Sequence, residues 1–156
     1  NACLTARKCM LVSKSDSEDG KGCCPGQTGH HLLEGASFEG VAGWEAYSYQ
    51  AAPTVCAEGP SWHTGSHRDL HLYQWAAETN LSKDGKWPRK TATRAGARAH
   101  RKAFPGSGCS LECIEAQLDN YHDGLCTADP EPPLKASSNA PADPVLRGVA
   151  SLEMGF

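Results

Sequence analysis

No stretch of the 156-residue chain approaches the roughly 18 to 20 consecutive apolar residues that a membrane helix needs, so no membrane role is expected. The start, Asn1-Ala2-Cys3-Leu4, has neither an initiator Met nor the hydrophobic run of a signal peptide, and the chain is expected to be a piece of something larger. An excess of basic residues is lacking too: the formal net charge is -3, which as a total argues mildly against a nucleic-acid binder. Internal repeats are absent, and one domain is the expectation for 39% hydrophobic residues, since a chain of this size buries roughly 70% of its unfolded surface. Regular cysteine spacing is also missing. Eight cysteines are present without the paired C-x-x-C of a zinc ribbon. Cys109 and Cys113, four apart, would share a helix face and could help bind zinc, but buried structural cysteines are favoured over that; free and disulfide states both stay open.

What the chain does have is unevenly distributed charge. Eight of its 15 basic residues (Lys83, Lys86, Arg89, Lys90, Arg94, Arg98, Arg101 and Lys102) lie together, against the single acid Asp84. Within that stretch Lys90, Arg94, Arg98 and Lys102 recur every four residues, the spacing of one helical face. Such a stripe is often only a solvated surface; the alternative is a substrate-binding clamp on a phosphate backbone, which needs a catalytic centre elsewhere in the chain to support it.

The pattern predicts an α+β domain, small and mainly helical, with long irregular segments. Residues 1–28 read as an irregular entry segment. A strand with its exit is expected over 30–38 and a second β segment over 46–57, broken at Pro53. Ser66 followed by Asp69 resembles a capping box, and a helix is expected over 67–79 with His67, His71, Gln74 and Glu78 on one stripe. Helices follow over 90–102 and over 110–122, where Leu111, Ile114, Leu118 and Tyr121 form an apolar stripe for the core. Five prolines from Pro130 to Pro144 indicate an extended arm over 127–156 whose apolar end docks back. Trp44, Trp62, Trp75 and Trp87 are expected mostly in the core rather than stacked on bases; Gln27, Thr28 and Ser37 carry no assignment.

Five of the seven histidines fall in two clusters, Gly29-His30-His31 and His63-Thr64-Gly65-Ser66-His67-Arg68-Asp69-Leu70-His71. Imidazole is both a metal ligand and the side chain best matched to proton transfer near neutral pH. Two histidines four apart on a helix preset two ligands, and a third from a strand would complete a site open to water and substrate. His100 and His122, by contrast, read as ordinary hydrogen-bonded side chains.

A His-His pair at a strand end, a second strand, then a helix opening with His-x3-His resembles the ββα-metal (His-Me) finger of HNH and endonuclease VII nucleases, over residues 29–80. His67-Arg68-Asp69-Leu70-His71 is similar to the matching helix of colicin DNases. Cys-Cys-Pro-Gly-Gln-Thr-Gly-His-His-Leu, Ala-Pro-Thr-Val-Cys-Ala-Glu-Gly, Gly65-Ser66-His67 and Cys113-Ile114-Glu115-Ala116-Gln117-Leu118 closely resemble the GHH-signature toxin nucleases, a likeness covering roughly residues 1 to 126. The resemblance implies a largely nonspecific, metal-dependent DNase toxin for interbacterial competition, leaving 5′-phosphate products. It would be the C-terminal part of a PAAR-containing effector, delivered by type VI secretion into the target-cell cytoplasm and countered by a cognate immunity protein. By position, His31 would be the general base, and His30, His67 and His71 would hold one divalent ion, Mg2+ foremost in the cell with Zn2+, Ni2+ or Mn2+ as alternatives. Exchange of the His30 and His31 roles stays open. His63 stands where many HNH proteins carry an Asn that orients the base, or would contact phosphate. The alternatives are an RNase on the same fold, and a non-enzymatic binding module stabilised by zinc on His and Cys. If the chain enters a cytoplasm, reducing conditions would favour free thiols.

Overall fold

The computed structural model describes residues 2–17, 22–60, 64–136 and 143–156. His63 and Trp62, and with them the expected role of His63 on substrate or base, lie outside the described residues. The elements in chain order are α1 (Ala2–Ala6), β1 (Val12–Ser13), β2 (Gln27–His31), β3 (Pro53–Glu58), α2 (Gly65–Leu81), β4 (Lys86–Trp87), α3 (Arg89–Ala103), α4 (Leu111–His122), β5 (Leu134–Lys135) and α5 (Pro144–Met154), an α+β, mainly helical domain as expected.

An antiparallel sheet ordered β1-β3-β2 carries the centre of the molecule. In its register Gly29 faces Cys56, His30 faces Val55 and His31 faces Thr54, so the histidine pair ends β2. Gly29 is required by proximity: a Cβ there would lie 2.1 Å from Ser17 Oγ and 2.6 Å from Thr54 Oγ1. The expected strand starts three residues early and stops at His31, because Leu32, Leu33 and Phe38 turn into the core around a 3-10 turn at Gly35–Ser37. The expected β segment over 46–57 is strand only from Pro53. Residues 46–52 form turns, in which Tyr47 stacks on Phe38 with ring centroids 4.2 Å apart. Pro53 lacks an N–H and fits as the first strand residue, where that costs no ladder bond.

Helix α2 begins two residues earlier and ends two later than expected, and Ser66 does not cap it. Its hydroxyl instead donates to the Glu58 carboxylate and accepts from Glu58 N at 2.9 Å, which ties the helix start to the end of β3. Helix α3 packs between α2 and α4, and Gly96 permits a close approach: a Cβ there would sit 2.4 Å from Leu32 O. Helix α4 spans the expected residues, with Ser110 accepting from Cys113 N and Ile114 and Leu118 in the core. Trp44, Trp75 and Trp87 are buried as expected. The proline-rich arm is not merely extended. It supplies β5, which pairs with β4, and α5, which docks on α2 through Ala150 and Met154.

The entry segment departs most from expectation, because cysteine pairing fastens it down. Cys3–Cys24, Cys9–Cys109 and Cys23–Cys56 are disulfides, so Cys109 is not available to share a zinc with Cys113. Between these bonds Lys8 is buried; it donates to Cys56 O at 2.8 Å and pairs with Glu58 at 2.7 Å. His100 and His122 are structural, bonded to Lys8 O and Leu118 O, each at 2.7 Å.

Two measurements check this packing. A disulfide stabilises more the longer the loop it closes, and Cys9–Cys109 spans 100 residues against 21 for Cys3–Cys24. Replacing Cys9 and Cys109 by Ala should therefore lower the unfolding free energy by about 2–4 kcal/mol, and replacing Cys3 and Cys24 by less; a larger loss for the shorter loop in denaturant titrations would contradict this. His122 is stacked on Phe38, and burial pushes its titration down from 6.5 to about 4. Folding stability should fall as pH drops from 6.5 toward 4, because the unfolded chain there binds a proton that the folded chain excludes. His122→Phe should make that decline shallower by up to roughly 1.4 kcal/mol per pH unit, read from urea midpoints across the range.

Candidate active site

The end of β2 and the first turns of α2 bring three imidazoles together. Ring centroids are 4.7 Å apart for His30 and His67, 4.5 Å for His30 and His71, and 5.4 Å for His67 and His71. One nitrogen from each lies within 4.8 Å of the others, close enough to hold a single metal ion. The helix contributes its pair because positions 67 and 71 share a face, and the strand contributes His30 because β3 pairing aims it at that face.

Each ring faces a different partner on its outer side. His30 is buried, and its Nε2 donates to Gln74 Oε1 at 2.5 Å. His67 Nδ1 meets Thr28 Oγ1 at 2.9 Å. The single Thr28 hydroxyl proton goes to Gly59 O at 2.8 Å, so Thr28 accepts and His67 keeps Nε2 as its free lone pair. His71 Nδ1 lies 3.7 Å from Glu34 Oε1, both atoms buried and neither hydrogen-bonded. A buried donor and acceptor left this close need only a small shift to form the carboxylate–histidine pair found behind metal ligands.

His31 stands apart from this triplet. Its Nε2 donates to the carbonyl of Tyr49 at 3.0 Å and its ring lies against the Tyr49 ring at 4.4 Å. That bond fixes the proton on Nε2 and leaves Nδ1 with its lone pair. All the perturbed imidazoles favour the neutral form. Burial and the neighbouring His71 and His67 hold His30 well below its ordinary range, while burial chiefly brings His31 and His67 to about 4. At physiological pH these rings are therefore unprotonated, as both metal ligation and proton abstraction require.

A cleft of about 430 Å³ opens over the four histidines, lined also by Lys14, Glu34 and Tyr49. Lys14 Nζ donates to Gly29 O at 3.2 Å, at the base of the histidine pair. The basic stripe of α3 lies elsewhere. Lys90 pairs with Asp119 at 2.9 Å, Arg94 approaches Glu115 at 4.0 Å and Arg98 donates to Met154 O. These three line a separate cavity with Leu81, Met154 and Phe156; Lys102 is exposed near the end of the helix. Arg89 is buried against Asp119, Asp123 and Glu131 at 2.8, 2.5 and 3.2 Å, which fastens α3 to α4.

Sequence reasoning thus assembles His30, His31, His67 and His71 but misses their supports. Gln74 had a signal, falling on the stripe that also carries the two helical histidines. Thr28 and Glu34 had none beyond nearness to the Gly-His-His motif, and Tyr49 acts through a backbone carbonyl that any residue would supply. A zinc site closed by His and Cys is not what forms, since no cysteine belongs to the histidine cluster among the described residues.

Residues 25–122 match the family model described as GHH signature containing HNH/Endo VII superfamily nuclease toxin 2. The chain is also similar to DNase toxin Tse7 of Pseudomonas aeruginosa, 36% identical over 163 aligned residues that cover 90% of this chain and 41% of that protein. It therefore spans under half the length of that relative. No solved structure gives a significant match. The matched residues include β2, β3, α2, α3 and α4, the elements that place all four cleft histidines, and the chain belongs to the GHH-signature nuclease toxins of the HNH/endonuclease VII superfamily.

Proposed function

We propose that the chain is the nuclease domain of a larger antibacterial effector and hydrolyses DNA backbone with little sequence preference. The observation that carries this is the division of the four imidazoles: three converge within 4.8 Å, and the fourth is tethered away from them with one nitrogen free. His30, His67 and His71 fit a divalent ion, because each has one nitrogen turned to an outer partner and another available to the centre. When bound, the ion would polarise the scissile phosphate and stabilise the departing oxygen. A donor set of imidazoles alone suits Zn2+ or Ni2+ better than Mg2+ or Mn2+, which prefer oxygen ligands.

His31 is the general base. Its Nδ1 takes a proton from the attacking water while the Tyr49 carbonyl, bonded to Nε2–H, holds the ring and favours the imidazolium that forms. That carbonyl does the orienting work expected of an Asn or of His63. Lys14 faces the same cleft and is the cation placed to meet a phosphate oxygen; Lys90, Arg94, Arg98 and Lys102 are left to flank a longer duplex. From family likeness we further place the protein as a type VI cargo with a PAAR-type delivery domain, acting in the target-cell cytoplasm, and opposed by an immunity protein.

Plasmid DNA incubated with the chain and Mg2+, Mn2+, Ni2+ or Zn2+ should be nicked and degraded, and matched RNA spared. Intact DNA with degraded RNA would make the chain a ribonuclease, and both intact under every metal would sink the proposal. His31→Ala should lower cleavage by about 10²–10⁴-fold with metal affinity retained by calorimetry, whereas His67→Ala and His71→Ala should lose both. Lys14→Gln should raise KM for a short duplex and lower the slope of log affinity against log salt by about 0.9; an unchanged slope would remove Lys14 from the phosphate contacts.

A further inference from the structure

Gln74 is buried in α2 and uses every polar atom of its side chain on the site. Its Nε2 donates to His31 O at 2.9 Å and to Leu32 O at 2.8 Å, and its Oε1 meets His30 Nε2 at 2.5 Å. An amide nitrogen has two hydrogens, and both are taken by carbonyls, so the amide cannot turn over without placing its oxygen against two other oxygens. Oε1 is therefore an obligatory acceptor and His30 Nε2 an obligatory donor. The only lone pair left to His30 is on Nδ1.

From this we infer that Gln74 is the positioning residue of the site, with two separable jobs. Through Oε1 it fixes the tautomer of His30, so that Nδ1 is the nitrogen presented to a metal ion. Through Nε2 it clamps the backbone at the end of β2, from which His31 projects. One helical amide thus sets the ligand and the base in a common frame, although it touches neither substrate nor ion. The inference rests on the metal-nuclease reading only for its purpose; the tautomer itself can be read in metal-free protein.

The test uses 15N-labelled, metal-free chain and long-range 1H–15N correlation of the imidazoles, followed by calorimetric titration with Zn2+ alone. Wild type should show His30 as the Nε2–H tautomer. Gln74→Leu, similar in volume but without polar atoms, should give mixed tautomers at His30 and bind Zn2+ about 10–100-fold more weakly. Gln74→Glu keeps an acceptor for His30 and loses both donors to the strand end. It should hold the Nε2–H form and Zn2+ affinity within a few-fold of wild type, yet cleave DNA with a reduced kcat. An Nδ1–H tautomer in wild type overturns the inference outright, as does a Leu variant with unchanged tautomer and affinity. If the Leu variant does not fold, the wild-type spectrum and the Glu variant still decide, since Gln74→Glu with wild-type kcat removes the second job. A wild-type chain that cleaves nothing but shows the stated tautomer would instead count against the nuclease proposal.

Discussion

His30 is buried and His67 half-buried at ring separations near 5 Å from each other and from His71, and the centre of this protein is organised around keeping these two rings neutral. A protonated His30 or His67 would face its neighbours in a medium that screens charge poorly, and burial adds its own penalty. A neutral imidazole still brings one N–H that must be satisfied. Gln74 and Thr28 supply acceptors outside the cluster for two of these rings, and Glu34 stands ready behind the third. The inward lone pairs that result are the cluster's chemical potential, and the partners that create them come from both the sheet and the helix.

That arrangement depends on unremarkable packing done accurately. Gly29 lets β2 approach Ser17 and Thr54, Ser66 ties the start of α2 to the end of β3, and Gly96 lets α3 lie against Leu32 just past the histidine pair. The buried Arg89 shows how the cations of α3 are used: an apparently basic helix is stitched to the acidic residues of α4 and the following arm. A net charge of -3 alongside a dense basic stretch is thereby reconciled, since much of the positive charge is already answered within the fold.

The sequence made legible those features that depend on local periodicity. His-x3-His on a helix, the apolar stripe of α4 and the spacing of the cationic face are all properties of a 3.6-residue repeat, and each stands where expected. Features that depend on a distant partner were not legible. Eight cysteines permit many pairings, and nothing local in Cys9 points to Cys109. Tyr47 and Tyr49 have strand propensity, yet one stacks on Phe38 and the other offers its carbonyl to His31, so tertiary contacts override propensity across residues 46–52. Helical spacing told that Lys90 and Arg94 share a face, but not that Asp119 and Glu115 stand opposite.

The Cys9–Cys109 bond also has a mechanical meaning. Tension applied between the two ends of the oxidised chain passes from residue 9 to residue 109 through the sulfur bridge, because a covalent shortcut carries the force and the enclosed backbone stays slack. Everything from β1 to α3, including all four cleft histidines, lies inside that slack loop. Once the packing of α5 on α2 and of α4 on α3 is broken, further pulling on the oxidised protein extends the backbone outside that loop and leaves the backbone around the histidine cleft unextended.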